Sequence, residues 1–365
     1  MRPAPSIFVL AAWSLLSPAW ADTQLKAPPA LQQLIDTGQC KACDLTGANL
    51  SGMRLMSADL SGANLRGANL RKTILFRADL SGADLRGAQV EKASLGRVNL
   101  SGAKLSGLDL RGARLAHASL VNAQLDKANL TGTMLEHADM RGANLDGADL
   151  SDASLRNSRL DGAVLDNTTL KSADLRLLDL RKIASLRHSD LSGARLNKVK
   201  LDGLNLSGNR FVEADLQQSS LAGANLQNAT LVRANLNRAD LRDVDFENAD
   251  LRGANMKGAK MKGIRLQSTK LEEARLSGNL TASDFSNGKL ARADLSGANL
   301  KDANFRNADL RQANFTACNL YGADFSGAKL NRATFRRANL RNVVFTDADL
   351  DGVIFEDARG APKPK

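Results

Sequence analysis

From Leu45 to Phe355 the chain places a large apolar residue on nearly every fifth position, usually two after an alanine, as in Leu60-Ser-Gly-Ala-Asn-Leu65-Arg-Gly-Ala-Asn-Leu70. A helix buries residues about every 3.6 positions and a strand every second one, so a strict period of five fits neither over so long a stretch. It fits a short extended segment followed by a corner. If the large residue is the centre of each unit, the alanine two before it lies on the same side of the extended segment, and both point inward. The Asp or Asn between them points outward, where its side chain reaches the backbone at the corner. Glycine or another small residue often stands two after the centre, as in Ser61-Gly62 and Arg86-Gly87, where the chain must bend.

A short fixed period indicates a stack in which each coil touches only its neighbours. Of 63 centres, 50 are Leu, nine Phe, three Met and one Val, and the inward partner is Ala in 40. An interior so uniform in size leaves no room for a ligand-sized cavity, which predicts a packed rod. The Ala-(Asp/Asn)-Leu-x-x pattern resembles the pentapeptide-repeat family over most of the chain. That resemblance implies an all-β fold, a right-handed quadrilateral parallel β-helix in which four five-residue faces close each coil. At a spacing of roughly 4.8 Å between strands, about 16 coils make a rod about 75 Å long.

Two phase slips interrupt the period. One residue is inserted in Arg181-Lys-Ile-Ala-Ser-Leu186, and one is missing between Leu276 and Leu280. Both are expected at corners, as bulges that adjust the twist. Phe285, Phe305, Phe325 and Phe345 share one position in successive turns of a four-faced coil, and so do Phe315, Phe335 and Phe355. The two sets then stack on opposite walls and give the C-terminal third an aromatic core. Phe76 falls one past a centre and faces outward. Asn209, polar at an inward position, is expected to bond the backbone there.

The ends carry other signals. Met1-Arg2, the apolar run Ile7–Leu16 and Ser17-Pro-Ala-Trp-Ala21 read as residues 1–21 of a secretory signal peptide cleaved after Ala21. The run is too short for a spanning helix, and no later segment is apolar enough to cross a bilayer. The mature chain is therefore expected in the periplasm or outside the cell. Residues 22–39 read as a linker and a short N-terminal helix, with Leu31, Leu34 and Ile35 at helical spacing and Gly38 as its stop. Such a helix would cover the open edge of the first coil. The β-helix is assigned to 40–357, and 358–365 to a polar disordered tail. Phe355 then lies near an uncovered end, and homodimerisation through that end is expected, a mode the resemblance also implies.

Formal charge is +11, falling to +10 once Arg2 leaves with the leader. Most charges alternate in sign, the coat of a soluble rod. Arg252, Lys257, Lys260, Lys262, Arg265 and Lys270 have no acid among them between Asp250 and Glu272, a candidate basic binding patch for a polyanion. Arg181, Lys182, Arg187, Arg195, Lys198 and Lys200 form a second dense stretch around Asp190. Neither holds aromatic residues for base stacking, which argues against nucleic acid.

Catalytic chemistry has little to build on, and no cofactor or catalytic residue is assigned. His117 and His137 lie 20 apart beside Glu136, a spacing that stacks them at metal-ligand distance, but Arg97 and Asn157 occupy the equivalent positions one coil away, so no metal site is assigned. Cys40-Lys-Ala-Cys43 places both sulfurs inward in the first coil, as a disulfide locking that end or as two packed thiols. Cys318 replaces an inward alanine and reads as a buried free thiol. Asp and Asn abound because the repeat requires them, so carboxylate pairs carry little weight. The leading reading is a non-enzymatic exported scaffold that offers flat faces to a protein partner. A polyanion-binding envelope protein is the alternative. The resemblance also brings in the quinolone-resistance members that mimic DNA and bind gyrase, a role that needs an acidic cytoplasmic protein and conflicts with the leader and the basic balance.

Overall fold

The computed structural model describes residues 28–362, so the leader and the first residues of the linker lie outside it. The described chain falls into two compact units, one ending at Thr168 and the other beginning at Thr169. Each is a β-helix of the same construction.

Away from the two slips, the outward residue of nearly every five makes a parallel bridge to the residue 20 further on, for example Asn49 to Asn69 in the first unit and Asn205 to Asn225 in the second. Bridges recur at every fifth position along the chain, so one coil has four walls. Most contacts are single bridges; the two-residue parallel strands β1 (Asn255–Met256) and β2 (Arg275–Leu276) are the longest pairing. The backbone explains the brevity. At each corner the N–H three positions after a centre donates back to the centre's carbonyl, as Ala48 does to Leu45 at 3.0 Å, which leaves only a short piece of each wall to pair with the next coil. The residue two after the centre takes positive φ, 59° at His117 and 66° at Gly62. Glycine suits that position at no steric cost, and Asn and Asp tolerate it better than most side chains, so their frequency there follows from the corner.

Side chains lock the same corners. The outward carboxylate or amide accepts the backbone N–H two positions on, as Asp59 does from Ser61 at 2.9 Å and Asn144 from Asp146 at 3.1 Å. Where arginine follows, its guanidinium adds a fork, as in Asp240–Arg242 at 2.6 Å. Asn columns also bond along the stack, Asn339 to Asn319 at 2.9 Å and Asn319 to Asn299 at 3.0 Å.

Inward positions are filled. Leu60, Ala63 and Leu65 in the first unit and Leu226, Leu231 and Ala234 in the second are fully buried. The expected aromatic core is present in the second unit. Phe285, Phe305 and Phe325 stack face to face at 4.7 Å, Phe315 and Phe335 at 4.8 Å, and the two columns meet edge to face at 5.6 Å across the interior.

Boundaries differ slightly from expectation. Helix α1 (Pro29–Thr37) ends at Gly38 in a left-handed conformation and buries Leu34. Gln39 already bridges Asp59, one position before the expected start. At the other end, Arg359 bridges Asn339, and its N–H donates to the Ala338 carbonyl at 2.8 Å. The coil therefore takes in Ala358 and Arg359, which their polarity had placed in a disordered tail: a polar residue suits an outward position and does not oppose pairing.

The slips also resolve. The insertion falls on a wall, not at a corner: Ile183 closes the normal turn onto Leu180 at 3.1 Å, and Ala184 is pushed out to solvent before Leu186 regains the centre. The deletion falls at a corner, where Gly278 takes φ +115°. A Cβ there would meet the Ala259 carbonyl oxygen at 3.1 Å, which favours glycine. Asn209 repairs the first slip. Its Oδ1 accepts the Ser189 N–H at 2.9 Å and its Nδ2 donates to the Leu186 carbonyl at 2.8 Å, so a side-chain amide closes a turn that backbone groups close elsewhere.

Candidate functional site

The coil decides which side chains share a surface, and it scatters the first candidate patch. Lys260, Arg265 and Lys270 occupy three successive walls, while Arg252, Lys257 and Lys262 sit at corners between walls, so the six encircle the stack. Four of them meet carboxylates: Arg252 with Asp250 at 2.6 Å, Lys257 with Asp294 at 3.7 Å, Lys260 with Asp240 at 3.9 Å and Arg265 with Asp245 at 3.6 Å. The chain segment lacks acids, but coils before and after supply them. The second stretch behaves alike, with Arg181 and Lys200 both on Asp179, at 2.6 and 3.6 Å. The Arg181 fork holds the Asp179 carboxyl well below the usual carboxylate range.

Cys40 and Cys43 are joined by a disulfide across the first corner, with Cα atoms 5.2 Å apart. Cys40 is fully buried, as its inward position predicts. Cys318 is a buried free thiol whose Sγ–H donates to the Leu295 carbonyl at 3.0 Å. Burial pushes this thiol up to about 12.

His117 and His137 stack with ring centroids 4.8 Å apart and planes 4° from parallel. Face-to-face rings do not converge their nitrogens on one point, and among the described residues no group of three His, Cys, Asp or Glu side chains is placed to hold a metal.

The first unit has a groove of about 570 Å³ between Val90–Ser94 and Asp109–Arg114. The wall ladder that joins Asn69 to Gln89 and Asp109 to Asn129 is not made between Gln89 and Asp109. Val90 is the single valine centre, filling less of the interior than leucine. Both acids bordering the opening are already paired, Glu91 with Arg71 at 3.0 Å and Asp109 with Arg111 at 2.7 Å.

One wall of the first unit stands apart, and adjacency along the chain gives no sign of it. Its outward column is Arg54, Ile74, Ser94, Arg114 and Met134, bridged in succession. The corner beside it carries Met56 and Phe76, then Arg77 and Arg97, whose N–H groups donate to the Gly96 and Ala116 carbonyls at 3.2 and 3.1 Å. Phe76, expected to face outward, lies over Gly96, with the Arg77 guanidinium 5.4 Å from its ring centroid. The signal available in sequence is periodic: residues 53–58, 73–78, 93–98 and 113–118 contain no Asp or Glu.

At the last coil the inward residues Val343, Phe345, Leu350, Val353 and Phe355 are only partly buried, and Val344 and Ile354 are each 42% exposed. No helix among the described residues is long and apolar enough to cross a membrane.

Comparison with known proteins agrees with this construction. The family model for pentapeptide repeats, in blocks of eight copies, matches successive stretches from 39–76 to 318–357. Among solved structures, the chain is similar to HetL, a pentapeptide repeat protein involved in heterocyst differentiation regulation from the cyanobacterium Nostoc sp. strain PCC 7120, at 29% identity over 72% of this chain and 92% of that one, with a TM-score of 0.19. It is similar to QnrB1, a plasmid-mediated fluoroquinolone resistance protein, at 20% identity over 47% of this chain and 90% of that one, with a TM-score of 0.29. A pentapeptide repeat protein from the Arabidopsis thaliana thylakoid lumen shares 25% identity over 38% of this chain and 73% of its own, with a TM-score of 0.18. No curated protein matches the chain.

Proposed function

The chain belongs to the pentapeptide-repeat family, and from that premise we propose that it is a non-enzymatic exported protein whose flat walls bind a protein partner. The filled interior carries this reading. Inward Leu, Phe and Ala side chains close the core to solvent in the coils before the last, so chemistry there is confined to corners and walls whose polar groups already hold the turns. The leader-like sequence up to Ala21 supports export, and α1 with the Cys40–Cys43 disulfide reads as a lid that fastens the first coil for an oxidising compartment. The positive balance supports the polyanion reading less well, because the six cations from Arg252 to Lys270 are dispersed around the coil and four of them are ion-paired.

Crosslinking in the intact exporting cell, followed by capture of the tagged full-length chain from the exported fraction, tests this reading. A protein partner at near-stoichiometric yield, with a mature N-terminus at Asp22 by mass spectrometry, is the expected result. A chain that keeps Met1 and stays in the cytoplasm refutes export and returns the gyrase-type role to consideration.

A further inference from the structure

We propose that the wall of the first unit carrying Arg54 and Arg114, with the adjoining corner carrying Arg77 and Arg97, docks flat against an anionic lipid surface. Three observations converge on it. First, among the described residues none of these four exposed arginines makes an ion pair, so all four guanidinium groups are open to an anionic surface, unlike those of Arg141 and Arg242, which fork onto Asp at 2.6 Å. Second, acids are missing from this surface through four consecutive coils, and the stacking of the coils turns an unremarkable spacing of 20 into one continuous stripe. Third, exposed apolar side chains border the cations: Met56 is 48% exposed, Met134, bridged to Arg114 on the coil beyond the stripe, is 45% exposed, and Phe76 is half-buried over Gly96.

The combination selects the occupant. A soluble polyanion is satisfied by cations alone and gains nothing from exposed methionines. A lipid headgroup layer takes arginine at its phosphates and apolar side chains just below them, and it is flat on the scale of this wall. Arginine suits the site because its guanidinium binds phosphate oxygens in pairs and keeps its charge at any physiological pH.

The test uses the full mature chain and vesicles of phosphatidylcholine, with or without about a third phosphatidylglycerol. Co-sedimentation is expected with the anionic vesicles only. Arg77→Glu with Arg97→Glu should weaken it by roughly thirtyfold or more, while Arg77→Lys with Arg97→Lys retains most of it. Arg242→Glu with Arg311→Glu, the same change in net charge on the second unit, should weaken it less than about threefold. Met56→Ser with Met134→Ser should weaken vesicle binding and leave heparin binding unchanged. The proposal is overturned if the chain ignores anionic vesicles, if the second-unit pair costs as much as the first, or if the methionine pair has no effect while heparin binding follows the arginines. Circular dichroism of each variant checks that the coil is intact, above all for Arg242 and Arg311, whose guanidinium groups fork onto the turn residues Asp240 and Asp309.

Discussion

Replacing Asn209 by leucine probes how the stack absorbs an extra residue. Asn209 is fully buried, and its amide spans the corner after Leu186, accepting from the Ser189 N–H at 2.9 Å and donating to the Leu186 carbonyl at 2.8 Å. Leucine keeps the volume but removes both bonds, and water cannot replace them at a site with no exposure. A buried backbone group left unpaired costs about 1–3 kcal/mol. Some of that is regained where the corner relaxes to the direct closure used elsewhere, so a net loss of about 2–4 kcal/mol is expected. In a repeat protein this loss is felt by the local coil and its neighbours and need not move a single global transition. The assay is therefore amide hydrogen exchange read on peptides spanning residues 184–192. At about 1.4 kcal/mol per decade, protection there should fall by roughly 30- to 1000-fold, with little change at 60–80 in the first unit. Asn209→Leu with unchanged protection over 184–192, or with protection lost equally everywhere, would refute the idea that one amide stitches the slip.

Other outcomes follow from the same geometry. Thiol titration should find one reactive cysteine per chain in denaturant, Cys318, and none in the folded protein near pH 8, because burial raises that thiol to about 12 and keeps it protonated; two or three titrating thiols would contradict the Cys40–Cys43 disulfide. Carboxyls forked by arginine, among them Asp84, Asp139, Asp240 and Asp309, have depressed folded pKa values, held down first by the guanidinium hydrogen bonds. Their contribution to stability is complete above the unfolded carboxylate value near 4 and is lost as pH falls through the folded values. Thermal melts should thus be flat from neutrality to about pH 5 and decline below about 4, each pair contributing little because the arginines are solvated; a decline centred near neutrality would point to other groups. The partly buried Val353 and Phe355 lead to a dimer through the last coil: light scattering should report twice the monomer mass for the wild type and monomer mass for Phe355→Asp, and a monomeric wild type removes the interface.

Much of the fold is legible because one rule repeats. The period locates the inward residues, the Asn and Asp columns and the Phe ladders, since each coil contacts only its neighbours and local sequence fixes local geometry. Cys40 and Cys43 can be placed inward by extending the period backward, but whether they bond depends on the turn between them, which spacing alone leaves open. The insertion is harder to place, because composition does not say whether Ala184 bulges from a wall or a corner. Ile183 decides it, as the only residue nearby large and apolar enough to hold the inward position three after Leu180. The end of the coil is drawn too early from sequence because Arg359 looks like tail by polarity, yet an outward wall position asks only for a backbone that can pair.

Surface chemistry is the least legible, for a geometric reason. Six cations between Arg252 and Lys270 look like a cluster in a chain that folds back on itself irregularly; in a four-walled coil they point in every direction. Conversely, Arg54, Arg77, Arg97 and Arg114 are far apart in sequence with acids between them, yet they share one surface, because the coil brings every twentieth position together. The intervening acids turn away or are taken: Asp59 and Asp79 sit on the next wall, Glu91 pairs with Arg71, and Asp84 and Asp109 are held by the arginines that follow them. Charge in a solenoid must therefore be compared between positions separated by a coil, and a dense local run is diluted around the stack unless it recurs one coil later. The acid-free stripe does recur, through four coils, which is why it is the basic feature of this chain with a surface to act on.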